Sequence, residues 1–437
     1  MRRHPFLPLS SAFTLLGSIP LVAAPSIIGL GPNTEATAIS ADGTTVCGKY
    51  NVGAFYWSTT EGLVTLPIPG SPSWDALGVS GDGTTVVGSF AAPPNRQACR
   101  WDSAQGSGIG YLPGTPSQFF PQTSAATAIS SDATTIVGFS SSSARAEEAF
   151  KFQNGTMVGL GVISAGTGNF SKASAVSADG STVVGQSSSA QGTQGFRVTD
   201  GQAMIGLGTF PNAVSSEATG VSGNGTVVVG ISYADDGDNT LEPTGFRWTA
   251  ATGMKSIRVA SRLSPTECYG ISQDGSVIVG SAINLNESRE PLIWSEATGA
   301  MFLRDLLIER GINLNGFTLN VAVAVSADGD TITGTGGRNG TSESWMLTGV
   351  KELLAPVVPL PDLTLTKAGA SVTLDFNTIP GYLYQAEKSP DLSLNSWSDL
   401  GTVHSTVGSG TAGTHQVTDP GAADERSFYR VTVEEAP

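Results

Sequence analysis

The chain has 437 residues, of which 37 are Asp or Glu and only 22 are Lys or Arg, for a formal net charge of −15. That balance argues against nucleic acid or an anionic membrane surface as partner, because phosphate binding needs clustered Lys and Arg. Charged residues make up only 14% while Gly alone numbers 55, which is low in charge for a cytosolic enzyme and suits short strands joined by tight turns.

The N-terminus reads as a secretory signal over residues 1–24. Arg2 and Arg3 form a positive start, Phe13–Val22 is mostly apolar, and Val22-Ala23-Ala24 supplies small residues for cleavage. No cysteine stands there to take a lipid anchor, and no later stretch is apolar for the roughly 18 residues a spanning helix needs. The expected product is exported, either secreted, at the surface of a bacterial cell or in the periplasm. It is expected to be a monomer without membrane insertion.

Ile27-Ile28-Gly29-Leu30-Gly31 is a lone strand signal. After it, one phrase recurs seven times: a small-residue run, Ile or Val, Ser, an Asp-Gly-type turn and Val-Val-Gly. The copies are Ala36–Gly48, Asp75–Gly88, Thr127–Gly138, Ser174–Gly185, Ala218–Gly230, Tyr269–Gly280 and Ala322–Gly334. Their serines (Ser40, Ser80, Ser130, Ser177, Ser222, Ser272, Ser326) lie 40, 50, 47, 45, 50 and 54 residues apart. A strand-rich period of that length points to one propeller blade per repeat.

Each repeat holds four strand signals. The small-residue run is the first and Val-Val-Gly, after a hairpin turn, is the second. The third is aromatic, as in Ala54-Phe55-Tyr56-Trp57 or Gly245-Phe246-Arg247-Trp248, and the fourth resembles Met157-Val158-Gly159-Leu160. Alternation puts the aromatics of the third strand between blades and its lone Arg or Lys on a solvated face. Small first-strand residues suit a crowded inner rim. The seventh repeat ends at Leu347 without a fourth strand, so Ile27–Gly31 is expected to complete it; an open ring would expose unpaired edges.

The Phe-Arg-Trp, Leu-Gly and Ile-Ser-x-Asp-Gly-x-x-Val-Val-Gly run resembles the HAF-type extracellular repeats of bacterial surface and secreted proteins. Met301–Asn320, with its Asp305-Leu306-Leu307 core, is similar to that family's recurring helix and Gly-containing turn. The resemblance covers about Ser26 to Val350 and implies a propeller without implying catalytic residues.

From Lys351 a proline-spaced stretch reads as a stiff linker over residues 351–361. Residues 362–437 then hold strand runs at Ser371–Phe376, Tyr382–Glu387, Ser398–Val403, His415–Val417 and Phe428–Val433, a small all-β module read as a sandwich. Its pattern is similar to C-terminal modules of secreted bacterial proteins. Trp397 and Tyr429 are expected in its core. The fold class is therefore all-β: a seven-bladed β-propeller over 25–350, closed by its N-terminal strand, plus a C-terminal β-sandwich.

The three histidines are His4, His404 and His415, so the propeller has none. That excludes a Ser-His-Asp triad or a His-ligated metal within the ring. Asp42, Asp82, Asp132, Asp179, Asp274 and Asp328 are turn residues of the repeat, and the repeated serines belong to the same turns. Cys47, Cys99 and Cys268 sit in strand segments and read as buried thiols, with a Cys47–Cys99 bridge as the alternative. Asp235, Asp236, Asp238 and Glu242 form the densest set of oxygen ligands. Calcium is the one ion they would suit, although a solvated acidic loop explains them as well.

Turns one-to-two and three-to-four are uniformly tight, whereas the connections at the opposite end vary widely in length. Variable loops on a rigid scaffold are where recognition usually lives. That face is expected to carry Trp74, Phe119, Phe120, Phe170, Phe210, Arg96, Arg145, Arg289 and Arg338. The leading expectation is a non-enzymatic binding or scaffold protein recognising a glycan or an extracellular protein there. A polysaccharide-acting enzyme using Glu147, Glu148, Asp235 or Glu242 is the second, and a surface spacer without a small ligand the third.

Overall fold

The computed structural model describes residues 24–435 except 52, 69–70, 72–73, 93–94, 103–104, 115–121, 164–168, 236, 238–239, 260–264, 356–362, 369–370, 379–381, 390–397, 405–412 and 420–427. The signal segment, Phe119, Phe120, Asp236, Asp238 and Trp397 therefore lie outside the described residues.

Residues 26–348 form seven four-stranded antiparallel sheets, the blades of a propeller. The innermost strands, from blade one to blade seven, are Thr34–Ile39, Trp74–Val79, Ser124–Ile129, Ser171–Val176, Ala213–Val221, Thr266–Ile271 and Phe317–Val325. The last blade takes its outer strand from the other end of the ring. Ser26–Pro32 pairs antiparallel with Thr341–Thr348, setting Ile27 opposite Leu347 and Gly29 opposite Trp345.

The third strands behave as their aromatics require. Phe55, Trp101, Phe150, Phe196, Phe246 and Trp345 are fully buried between blades, each worth about 1.5–3 kcal/mol of transfer free energy. Three of their basic neighbours depart from the expectation of a solvated face, whereas Arg100 pairs with the exposed Asp102 of its own blade. Lys151 reaches Asp200 of the next blade at 2.6 Å, Arg197 Nε donates to the Gly225 carbonyl at 3.0 Å, and the Arg247 guanidinium stacks 5.8 Å from the Trp294 ring centre. A long side chain leaving a twisted sheet meets the adjoining blade before it meets water, so these residues fasten neighbours together.

Hydroxyls at the start of the inner strands fasten blades at five junctions. Ser171 shows the pattern: its Oγ accepts from the Ala149 N–H at 2.9 Å and donates to the Gly161 carbonyl at 2.5 Å, both in the preceding blade. Ser124, Ser216 and Thr266 repeat it with Ala98, Gly195 and Gly245 as donors. Thr34 repeats it with the Ser344 N–H at 3.0 Å and the Gly31 carbonyl at 2.6 Å. The closure between blades seven and one thus uses the same device as the interior junctions.

The repeated phrase is a turn and a belt at once. In blade four, Ser177 Oγ donates to Asp179 Oδ1 at 2.6 Å and accepts from the Thr182 N–H at 2.9 Å, while Asp179 also accepts from the Ser181 N–H at 3.0 Å. Blade five substitutes Asn224 with the same bonds, Ser222 Oγ donating at 2.8 Å. The residue after each serine then donates to its counterpart one blade further on: Gly81 to Ser131, Ser131 to Ala178, Ala178 to Gly223, Gly223 to Gln273, Gln273 to Ala327 and Ala327 to Ala41, at 2.8–3.1 Å. Asp42 N–H to Gly81 at 3.2 Å closes the circle.

Two helices cover blade seven and its junction with blade six. Helix α1 (Leu303–Glu309) falls on the expected Asp-Leu-Leu segment and buries Leu303, Leu306 and Leu307. Helix α2 (Val350–Leu354) buries Val350 and Leu353 in the same cluster as Trp345 and Leu347. Lys351–Leu354, read from sequence as the start of a linker, is therefore packed against the ring. No helix among the described residues is long and apolar enough to cross a membrane.

The chain divides into two compact units, Pro25–Leu354 and a second that begins at Ala355. The second contains two three-stranded sheets, one of Leu363–Ala368, Ser371–Thr378 and Gly413–Asp419, the other of Ser398–His404, Tyr382–Ser389 and Phe428–Glu435. Lys388 of one sheet pairs with the buried Asp419 of the other at 3.1 Å. The first strand, Leu363–Ala368, had no counterpart in the sequence reading; its Leu-Thr-Leu-Thr alternation adjoins prolines that mask it.

Candidate functional site

Every inner strand carries a β-bulge, at Thr37, Leu77, Thr127, Ser174, Thr219, Tyr269 and Val323. A bulge adds one residue against the partner strand and re-aims its side chain. All seven bulge residues line the central channel, in a cavity of about 510 Å³ that also includes Glu35, Ala36, Val321 and Thr335. The same bulge explains the repeated glycine of Val-Val-Gly. A Cβ on Gly138 would sit 1.9 Å from the Ala125 carbonyl oxygen, and on Gly280 only 1.8 Å from that of Glu267.

Antiparallel connectivity sets the two ends of the channel apart. Gln273 Nε2 donates to Ser131 Oγ at 2.7 Å on the tight-turn side, a bond across the channel axis. Two residues before each bulge, toward the loop side, stand Glu35, Asp75, Ala125, Lys172, Glu217, Glu267 and Val321, of which Glu35 and Val321 line the cavity. Glu217 accepts from the Tyr233 hydroxyl at 2.7 Å. Glu267 accepts from Tyr269 at 2.7 Å and from Ser281 at 2.8 Å, and pairs with Arg289 at 2.9 Å. Burial, then the adjacent carboxylate, pushes the Tyr233 and Tyr269 phenols far above their ordinary range, so both stay protonated donors. Among the described residues Glu35 has no ion-pair partner; Lys49, opposite it in the ladder, points to Asp75 at 4.0 Å.

The residues expected on the loop face are placed at that end of the ring without forming one patch. Arg289 joins the Glu267–Tyr269 group. Arg96 pairs with Asp75 and, with half-buried Trp74, borders a cavity of about 100 Å³. The Trp74 indole lies over Gly53 and packs on the core between blades one and two. Arg145 pairs with Glu148 at 3.0 Å. Arg338 stacks 5.1 Å from the Phe317 ring centre and donates to the Asn315 carbonyl at 3.2 Å. Phe170 and Phe210 are half-buried, and Ser188 and Ser232 hold their backbone N–H groups at 3.2 and 3.3 Å. Trp74, Phe170 and Phe210 thus pin their own loops.

Asp235 and Glu242 occupy adjacent rungs of blade five, as the pairs Ala234–Glu242 and Asp235–Leu241 show. Asp235 accepts from the Gly237 N–H at 2.9 Å in a local turn. No group of three metal-ligating side chains occurs among the described residues. Glu147 pairs with Lys172 at 2.9 Å, and Glu148, besides Arg145, accepts from the Gly161 N–H at 3.2 Å. Cys47, Cys99 and Cys268 are buried free thiols. Burial pushes Cys47 and Cys268 up to about 12.

Sequence reasoning did not single out Glu217, Tyr233, Glu267 or the channel-lining Glu35. A signal existed: aligned on the bulge, four of the seven repeats carry an acid two residues before it.

No family model and no curated protein matches the chain. Solved structures similar to it are propeller-like only at a distance. An oligogalacturonate lyase from Vibrio parahaemolyticus is 12% identical, with 77% of this chain and 96% of that one covered at a TM-score of 0.47. A putative TolB from Agrobacterium tumefaciens is 15% identical over 53% of this chain and 87% of that one, with a TM-score of 0.40. The Dos1 propeller is 9% identical over 74% and 94%, with a TM-score of 0.39. Likenesses this remote carry no residue roles across.

Proposed function

We propose that this chain is an exported, non-catalytic binding protein that takes a segment of an extracellular protein partner at the loop-side mouth of its channel, with a basic side chain entering the rim. One observation carries this reading: Glu35 lines the channel cavity as a carboxylate without an ion-pair partner among the described residues, with Tyr269 in the same lining. A Lys or Arg head entering there supplies the missing charge, and a partly desolvated pair of that kind favours specificity and association rate. The enzyme reading is supported less well because, of its carboxylates, Glu147 and Glu148 each hold a cation already and Asp235 accepts from the Gly237 N–H in a local turn.

The test uses the full mature chain against an immobilised peptide set varied at one position through Lys, Arg, Gln and Glu, with a glycan array in parallel. Peptides bearing Lys or Arg should be retained, should elute with salt, and should be lost by Glu35→Gln, an exposed substitution that leaves the fold intact. Equal retention of Gln and Lys peptides, or binding confined to the glycan array, overturns the reading.

A further inference from the structure

The junction between blades one and two departs from most of its sisters. The hydroxyl staple at the start of the inner strand is missing here, since Trp74 stands where blades one, three, four, five and six have Ser or Thr, and the Thr37 hydroxyl at the bulge instead donates to the Ala76 carbonyl at 2.9 Å. The third-strand position that carries the clamps Lys151, Arg197 and Arg247, or the buried apolar Ile293 and Met346, holds Tyr56 in blade one and, in blade two, Arg100, which pairs with Asp102 of its own blade. The Tyr56 phenol turns back to Glu61 of its own blade at 2.8 Å. The unfilled space is a cavity of about 460 Å³ at the tight-turn end, bordered by Tyr56, Glu61, Thr44, Thr60, Asp82 and Thr84 among others.

We infer that this interblade cavity is a binding site for a neutral saccharide, on the face opposite the loops. An aromatic ring offers an apolar sugar face something to stack on, and hydroxyls with two carboxylates accept and donate to its rim. Among the described residues no Lys or Arg borders the cavity, so anionic sugars meet Glu61 and Asp82 unscreened and are rejected. The volume accommodates one or two sugar rings, within the ordinary range of small-ligand sites of about 300–1,000 Å³. The site does not depend on the loop-face reading.

The experiment titrates the mature chain with neutral gluco-, galacto-, manno- and xylo-oligosaccharides, with digalacturonate as anionic control, by calorimetry and by NMR. At least one neutral probe should bind in the millimolar range or tighter and digalacturonate should not. Tyr56→Ala should weaken binding by about tenfold or more, and Tyr56→Phe should retain it within a few-fold. Tyr56→Arg, which installs the residue type found in blades two, four and five, should fill the cavity and abolish binding while keeping a cooperative unfolding transition. Glu35→Gln should leave it unchanged. The inference fails if no neutral probe binds the folded wild-type chain, if binding survives Tyr56→Arg, or if digalacturonate binds equally well.

Discussion

Gln273 Nε2 donates to Ser131 Oγ at 2.7 Å although 142 residues separate them. Blades six and three stand across the ring from one another, so this one side chain spans the axis. It lies in the belt of backbone bonds formed by the residues that follow the repeated serines. The strut ties opposite sides of the ring together at the tight-turn end of the channel.

Replacing Gln273 by Ala should remove the strut and leave the belt. The expected loss is about 0.5–1.5 kcal/mol, the net worth of one hydrogen bond, measured by urea unfolding. Amide exchange at Gly223 and Gln273 should stay slow. Fast exchange there would show that the strut, rather than the belt, holds the turns in their ring.

Ser171→Ala should cost more than a surface serine, about 1–3 kcal/mol, because it strands the buried Ala149 N–H without an acceptor. Ser26→Ala, at an exposed hydroxyl paired with Thr348, serves as the control and should be near neutral. Similar costs for the two would sink the stapling account. Thr34→Val should behave like Ser171→Ala and also weaken ring closure.

Gly138→Ala forces a Cβ onto a backbone oxygen that cannot retreat without opening the bulge. The chain should lose about 4 kcal/mol or more, or fail to fold. Gly155→Ala, in open space at a φ of +76°, should cost only about 1 kcal/mol. Thermal unfolding of the pair makes the comparison.

The turn aspartates make stability acid-sensitive. For Asp82 and Asp179 the serine hydroxyl is the largest influence and holds the carboxyl below 3.8. For Asp42, Asp132, Asp274 and Asp328 burial acts upward and is outweighed by the serine and backbone donors. A folded pKa below the unfolded one adds stability above the unfolded value that is lost as pH falls through the folded one. Unfolding free energy should therefore be flat with respect to these groups from about pH 7 to 5 and decline below about pH 4. Asp179→Asn, which copies the natural Asn224 of blade five, should fold and make that decline shallower; an unchanged acid slope would be falsifying.

Sequence periodicity was enough for the blade count, the four strands per blade and the displaced closing strand, because these follow from a repeated turn phrase and from the need to leave no edge unpaired. It also assigned Trp74, Arg96, Arg145, Phe170, Phe210, Arg289 and Arg338 to one end of the ring, since antiparallel connectivity decides that without coordinates. Tertiary structure alone decided what those side chains touch. A bulge adds one residue with no compositional mark, so the channel lining at Thr37, Tyr269 and Val323, and the reason for each Val-Val-Gly glycine, became legible only once strands were paired. The partners of Lys151, Arg197 and Arg247 depend on how neighbouring blades twist together, a relation between residues as far apart in the chain as Lys151 and Asp200 that no local pattern encodes.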